Sequence, residues 1–483
     1  MGECPSRRWC WHRPLDPRRH GRGRGWQRRG RAQARARADQ RPGHRRHAPR
    51  RRRVRPRAQG RPRARRPHPD GIVNGSGLWH ADQAWLGHVA DNVLIEVING
   101  TITAVTEGVA APAGSVRLEG WTIPGLANVH SHAFQSSLRG TTESGAGDFW
   151  EWRQLMYRAA ENFDPETYLK HGRHVFREML EAGITAVGEF HYLHRYGNQM
   201  GEALLEAAAT EGIRITLIDA CYLRGGMDGR PLDEVQQTFS DGDADSWAQR
   251  MDALKDSEGA RIGAAIHSVR AVDPHSMQTV AAWARKRKTP LHVHLAEQPA
   301  EVDECLAAEG ITPVQLLDRE GILGRDLTAV HAIHVTNEDI SLLGRHDVSI
   351  CACTTTERDL GDRIGPIRGL VDAGSSLCLG SDSNAVIDLI EEARGVELDQ
   401  RRATGRRVLH QPEDLLRAAT VDGMRALGWD SGELKTGMLA DFITIGQRAP
   451  TLWRRLDLGD LVFCSSRHDV SNVVVGGRTV VPR

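Results

Sequence analysis

The sequence predicts an α/β protein: a (β/α)8 barrel of the TIM type with a small β-sandwich domain formed from both termini. Three observations predict it. From about Pro124 to Trp429 strand-like and helix-like segments alternate, which indicates a parallel sheet, and eight strand candidates suggest that it closes into a barrel. Strand-like text stands at both ends of the chain, flanking this different middle. Polar residues recur where the candidate strands stop, which is where a barrel carries its active site. A doubly wound open sheet is the structural alternative, but no GxGxxG follows the first strand to support a dinucleotide fold.

The 483 residues suffice for a large core and two or three domains. The net charge of +2 hides an asymmetry. Residues 1–70 hold 25 Arg, no Lys and 4 acidic residues, a net of +21, and the remainder carries −19. This arm has almost no aliphatic periodicity and cannot bury a core, so it is expected to be disordered. An arginine-rich arm can bind nucleic acid electrostatically. The favoured reading is that it is a mis-annotated extension. Lys-free text rich in Arg, Pro, Gly, Ala and His is what GC-rich DNA gives when a start site is placed too early or the frame is wrong. Nucleic acid is then not an expected partner. Ser is nearly absent, which speaks against a transit peptide. No run of 18 apolar residues exists, so no membrane span is expected. The eight cysteines are scattered, and Cys351-Ala352-Cys353 is not CxxC. Free buried thiols in a reducing cytosol are the simplest account, and a cytoplasmic protein is expected.

Residues 71–122 read as the first part of the small β domain. Val93–Val97 and Thr101–Val105 are β-rich runs joined by Asn99-Gly100, a strong hairpin signal. Residues 431–483 supply the second part, with strand-like Ala440–Ile445 and Asn472–Val481. The barrel is assigned to residues 123–430. Its strand candidates are Ile123–Asn128, Ile184–Gly188, Arg214–Asp219, Ile262–His267, Leu291–His294, Thr328–His331, Val348–Cys351 and Leu377–Gly380. Asp164-Pro165-Glu166 opens a helix, with Asp as N-cap and Pro at the first helical position, and Gly183 stops it.

The strand ends carry the chemistry. The first ends in His130-Ser131-His132; in an extended segment both imidazoles point to one side, where they can grip one metal ion. Glu189-Phe190-His191-Tyr192, His267-Ser268-Val269-Arg270, His292-Val293-His294-Leu295-Ala296-Glu297, Val330-His331-Ala332 and Ser381-Asp382 stand at other strand ends. Any one histidine alone is more often a satisfied core residue. Together, at one end of one barrel, they make a single metal centre the economical explanation. Nitrogen and oxygen donors without thiolate suit Zn²⁺, with Fe²⁺ and Mn²⁺ as lesser candidates. Of His292 and His294, the latter is nearer the strand end and three residues from Glu297, so it is the assigned ligand.

These residues resemble the amidohydrolase superfamily in its mononuclear deaminase branch. The carriers are Pro124-Gly125-Leu126 with His130-x-His132, His294-x-x-Glu297, Val330-His331-Ala332, Ser381-Asp382 and Gly437-Met438-Leu439-Ala440-Asp441-Phe442. The resemblance covers roughly Gly77 to the end. Longer phrases narrow it to the formimidoylglutamate deiminases of histidine degradation: Asn128–Gln135, Phe149–Tyr157, Glu189–Tyr192, His267–Val272 and His294–Gln298. Asn384, where the family often has His, and Arg358-Asp359 depart from its pattern.

Carried over residue by residue, the resemblance implies that His130, His132, His294 and Asp382 bind one zinc ion. Glu297, His331 and Asp382 would be the catalytic groups. Gln135, Arg153, Tyr192, His267 and Arg270 would hold a small dianionic substrate. The implied reaction is hydrolytic deimination of N-formimino-L-glutamate to N-formyl-L-glutamate and ammonia by zinc-activated hydroxide. Two arginines suit two carboxylates, because each guanidinium can clamp one bidentately. A homodimer is expected. The alternative is deamination of a purine, pyrimidine or related ring with the same metal set. A nucleic-acid-binding protein led by the arm would leave the strand-end histidines unexplained.

Overall fold

A computed structural model describes residues 75–141, 149–446 and 457–482. The arginine-rich arm of residues 1–70 lies outside them. The chain begins with four strands, β1 (Gly77–Trp85), β2 (Val89–Ile98), β3 (Thr101–Thr106) and β4 (Val116–Pro124). The barrel strands follow: β5 (Leu126–Ser131), β6 (Ile184–His191), β7 (Arg214–Cys221), β8 (Ala260–Ser268), β9 (Leu291–Leu295), β10 (Leu327–His331), β11 (Ser349–Ala352) and β12 (Ser376–Leu379). Three more close the chain, β13 (Phe442–Ile445), β14 (Val470–Val475) and β15 (Arg478–Pro482).

Strands from both ends share one seven-stranded sheet in the order β15-β14-β13-β4-β1-β2-β3. All its pairs are antiparallel except β1 with β4. The Asn99-Gly100 hairpin forms between β2 and β3, with φ of 49° and 76°. Both values are positive, as a type I′ turn requires. This sheet has its own small core, in which Trp79 meets Phe442 edge to face at 5.7 Å.

The other sheet has eight parallel strands in sequence order, β5 to β12. A parallel bridge between Ser131 and Asp382 joins its first and last edges, so the expected closed barrel forms rather than an open sheet. Strands β5, β6 and β7 are buried at every residue, as strands packed on both faces must be. The helix Pro165–Glu181 begins as expected. Asp164 accepts from the Thr167 N–H, and the Thr167 hydroxyl completes a capping box.

The first barrel strand differs from expectation by its start. Ile123 belongs to β4, where it pairs with Ile443 of the small sheet, and the barrel strand begins at Leu126. Gly125 is the crossover point. A Cβ there would fall 2.1 Å from Thr185 Oγ1, so only glycine lets the chain change sheets so close to β6. The sheets are tied by a buried bidentate pair, with Arg214 Nε and Nη2 donating to Asp441 at 2.7 and 3.0 Å. Among the described residues, no helix is long and apolar enough to cross a membrane.

Candidate active site

The barrel brings the strand-end residues to one place. His130 is the penultimate residue of β5, and His132 follows the strand. Asp382 follows β12, and the two edges hold each other through His132 N–H to Asp382 O at 2.8 Å and Asp382 N–H to His130 O at 2.9 Å. Asn128 and Ser381 lock the same seam with two further hydrogen bonds, 2.7 and 2.9 Å. Gly380 is required here, because a Cβ would stand 2.8 Å from that of His130. Buried Glu189 accepts from Ser131 Oγ at 2.8 Å and from the Ala133 N–H at 2.6 Å. Asn384, a departure from the family pattern, donates to Ser131 Oγ and to His132 O at 3.1 and 3.0 Å. Arg358 turns away to Asp399 and Glu391.

Donor atoms gather around His130 in two triads, His130 with His294 and His331, and His130 with His132 and Asp382, each within 4.8 Å. His130 Nε2 lies 3.1 Å from His294 Nε2 and 3.3 Å from Asp382 Oδ1, and His132 Nε2 lies 3.5 Å from the same oxygen. The hydrogen bonds on the far sides of two rings fix their tautomers. His132 Nδ1–H donates to Phe190 O at 2.8 Å, and His294 Nδ1–H donates to His267 O at 2.9 Å. The His294 Nε2 lone pair therefore faces His130 Nε2, and the His132 Nε2 lone pair faces the Asp382 carboxylate. Burial pushes His130, His132 and His294 down, His132 to about 3, so these rings are neutral. Burial alone would raise Asp382, but its hydrogen bond and proximity to His130 hold it well below the usual carboxylate range. The His132 Nε2 lone pair and the ionised Asp382 carboxylate, 3.5 Å apart, repel one another unless a cation sits between them. Neutral imidazoles and an ionised carboxylate are also the protonation states that a divalent metal requires. The donor set fits a metal ion.

His292 takes no part. It is buried lower in the barrel, with Nε2 3.5 Å from Ala426 O. His331, at the end of β10, has its Nε2 3.6 Å from Asp382 Oδ2 and 3.9 Å from Glu297 Oε1. Its Nδ1 meets Glu357 Oε1 at 3.3 Å. Burial alone would lower His331, but the carboxylates of Glu297, Glu357 and Asp382 raise it to about 10. Burial raises Glu297. The backbone is strained at this rim. His331, Ala332, Asp382, Asn384 and Ala296 have φ of 74°, 50°, 47°, 57° and 50°. Such left-handed conformations of non-glycine residues concentrate at functional sites.

A cleft opens over these groups, and Gln135, Arg153, Tyr192, His267, Arg270 and Glu297 all line it. The Gln135 amide donates to Tyr192 Oη at 3.2 Å. The His267 ring stands between Tyr222 and His294, at centroid distances of 4.4 and 5.1 Å. Arg270 Nε faces the buried Glu301 carboxylate at 3.7 Å. Arg153 donates through Nε to Tyr157 Oη at 2.6 Å and through Nη2 to Tyr222 Oη at 3.2 Å. Of the eleven expected site residues all but His130 line the cleft, and His130 packs against His294 and Asp382.

Several lining residues were not anticipated. Tyr222 and Phe239 come from segments after β7, and Glu357, which meets His331 Nδ1 from behind the cleft lining, comes from the short helix after β11. Tyr157 stood inside a family phrase, but nothing in its spacing marked it as facing a ligand.

A family model described as the amidohydrolase family matches residues 121–480. The chain belongs to the amidohydrolase family. Members of the superfamily are metal-dependent. The formimidoylglutamate deiminase of Pseudomonas aeruginosa is 34% identical over 415 residues, which are 81% of this chain and 91% of that protein. A 5-methylthioadenosine/S-adenosylhomocysteine deaminase of Natronomonas pharaonis is 29% identical, over 81% of this chain and 88% of that one. Among solved structures, an amidohydrolase from Brucella melitensis is 31% identical, with a TM-score of 0.78, covering 84% of this chain and 95% of that chain. The chain is thus an amidohydrolase-type deaminase.

Proposed function

We propose that this amidohydrolase deiminates N-formimino-L-glutamate to N-formyl-L-glutamate and ammonia. The observation that carries the reading is the pair of guanidiniums, Arg153 and Arg270, in one cleft with the His–Asp cluster. A dicarboxylate bearing a formimino group matches two cations set across from a metal centre. The 34% identity to a protein named for this activity supports the same reading.

His130, His132, His294 and Asp382 would hold the metal, with zinc favoured by three imidazoles and one carboxylate. Bound there, zinc would make water acidic enough to supply a nucleophile near neutral pH. The side chains do the rest. Arg153 and Arg270 clamp the carboxylates, and Gln135, Tyr192 and His267 orient the chain between them. Glu297, buried and prone to hold a proton, takes one from the nucleophile and returns it to the departing nitrogen. His331, whose Nδ1 meets Glu357 Oε1 at 3.3 Å, turns Nε2 toward Asp382 and donates a hydrogen bond there to the oxygen that forms.

A second reading, deamination of an adenosine-type ring, has support of its own. The cleft also carries Trp152, Tyr157, Tyr222 and Phe239, and other relatives are named for such substrates. Two buried guanidiniums suit a flat neutral base poorly. The test is a comparison of kcat/KM for N-formimino-L-glutamate with those for 5′-methylthioadenosine, adenosine, guanine and cytosine. A preference for the formimino acid by orders of magnitude is expected; turnover of a ring substrate alone would replace this reading with the second.

A further inference from the structure

The hydrogen-bond arithmetic around Arg153 leaves protons without a home. Tyr157 and Tyr222 are each 4% exposed, and both line the cleft. Tyr157 Oη receives Arg153 Nε at 2.6 Å and Gln236 Nε2 at 3.2 Å. Tyr222 Oη receives Arg153 Nη2 at 3.2 Å and Gln236 Nε2 at 3.1 Å. A guanidinium can only donate. The Gln236 amide is fixed in orientation, because its Oε1 accepts the Asp233 N–H at 3.0 Å, which leaves Nε2 as donor to both phenols. Each phenol oxygen therefore accepts twice, which is its capacity.

Both O–H groups must then be given elsewhere. The two hydroxyls neighbour one another, so at most one proton is spent between them. At least one is left, and among the described residues no acceptor meets it. Burial and the Tyr222 hydroxyl raise Tyr157, so its proton stays on at any working pH. The open direction is the cleft.

We propose that Tyr157 and Tyr222 are specificity-determining residues: with Arg153 they form a donor-only cradle that accepts one substrate carboxylate and rejects a carboxamide in its place. The proposal rests on the dicarboxylate reading above and deepens it. A carboxylate brings two acceptor oxygens to donors that need them. A carboxamide brings one acceptor and one N–H group, and the N–H faces a donor with nothing to receive it. A site built this way discriminates through the unpaired group it would bury. Gln236 acts through the phenols as a positioning residue, since its two N–H groups fill the lone pairs that would otherwise let them accept. Tyr222 also packs on His267, whose ring meets His294, so a carboxylate in the cradle lies one ring away from the metal-binding cluster.

The test uses the metal-loaded full chain and a probe that it need not turn over. Binding of N-acetyl-L-glutamate, N-acetyl-L-glutamine and N-acetyl-L-isoglutamine is measured by calorimetry for the wild type, Tyr157→Phe, Tyr222→Phe and Gln236→Leu. The wild type is expected to bind the diacid and to bind one of the two monoamides at least about tenfold more weakly. At least one Phe variant should lose about tenfold in diacid affinity while its acid-to-amide ratio falls toward unity, a change that mere loosening of the fold would not produce. With formimino substrate the loss should appear in KM more than in kcat. No diacid binding by the wild type, or unchanged affinity and ratio in both Phe variants, overturns the cradle. If diacid binding follows this pattern while N-formimino-L-glutamate is not hydrolysed, the cradle stands and the proposed reaction falls. If the reaction occurs but both Phe variants keep their ratio, the reaction stands and the cradle falls.

Discussion

His130 and His294 point ring nitrogens at each other across 3.1 Å, from opposite strands of the barrel, with Asp382 Oδ1 3.3 Å from His130 Nε2. With His294 Nδ1–H spent on His267 O, the facing atom of that ring is a lone pair. A cation resolves this arrangement. We expect one tightly bound divalent metal per chain, most simply zinc, because no lysine stands at a strand end to bridge a second ion. Elemental analysis of purified protein should give one equivalent, and chelation should abolish turnover until metal is restored. Two equivalents, or full activity after stripping, would contradict this.

Replacing Glu297 by Gln separates proton transfer from metal binding. The carboxylate is not one of the four proposed ligands, and it faces His331 at 3.9 Å. The variant should keep its metal and lose on the order of 10²-fold or more in kcat. Loss of metal together with activity would make Glu297 a ligand instead.

Arg270→Met removes one of the two guanidiniums and leaves buried Glu301 without its neighbour. Kinetics should show at least a tenfold fall in kcat/KM, in line with roughly 1.5–3 kcal/mol for a charge-assisted hydrogen bond. Metal content should hold. An unchanged kcat/KM would make Arg270 a structural partner of Glu301.

A stability prediction concerns a cluster outside the cleft. His194, Asp219 and Arg250 are packed together, with Arg250 Nη2 2.7 Å from Asp219 Oδ1 and His194 Nε2 3.2 Å from the same oxygen. Burial would raise Asp219, but His194 and Arg250 hold it well below its ordinary value. A depressed folded pKa gives stability that is present above the unfolded value and lost as pH falls through the folded one. Arg250→Met should cost roughly 1–3 kcal/mol at neutral pH, because buried Asp219 then keeps only His194 and the Trp247 N–H as partners. The deficit should shrink on acidification toward about pH 4, where Asp219 can take a proton. Denaturant melts of both proteins at the two pH values check the sign.

The barrel and its strand-end histidines were legible in the sequence because strand geometry makes them so. His130 and His132 alternate along an extended segment, and each barrel strand delivers its last residues to one rim. Asp382 was legible for the same reason. The partners that orient these groups were not. Glu357 reaches His331 from a short helix after β11, and its role depends on a contact between residues 26 apart in the chain. Gln236, Tyr157 and Tyr222 meet only when the helix Phe149–Glu161, β7 and a 3₁₀ turn pack together, so no periodicity marks them. The start of the first barrel strand was misplaced at Ile123 because β4 and β5 form nearly one apolar run. The break at Gly125 is set by the nearness of Thr185, which is tertiary.

Every site residue named above lies outside the arm of residues 1–70. Its removal should leave metal content and kcat unchanged within error. A large loss of either would show that the arm serves the enzyme.

The most direct test of the central claim is the identity of the products from N-formimino-L-glutamate labelled with ¹³C in the formimino carbon, followed by NMR. In the proposed complex Arg153 and Arg270 would hold the glutamyl end, so that the terminal nitrogen is presented to Glu297 and leaves. The account predicts labelled N-formyl-L-glutamate and one equivalent of ammonia. Labelled formamide with free glutamate would contradict the orientation, and no product at all would contradict the assignment of substrate.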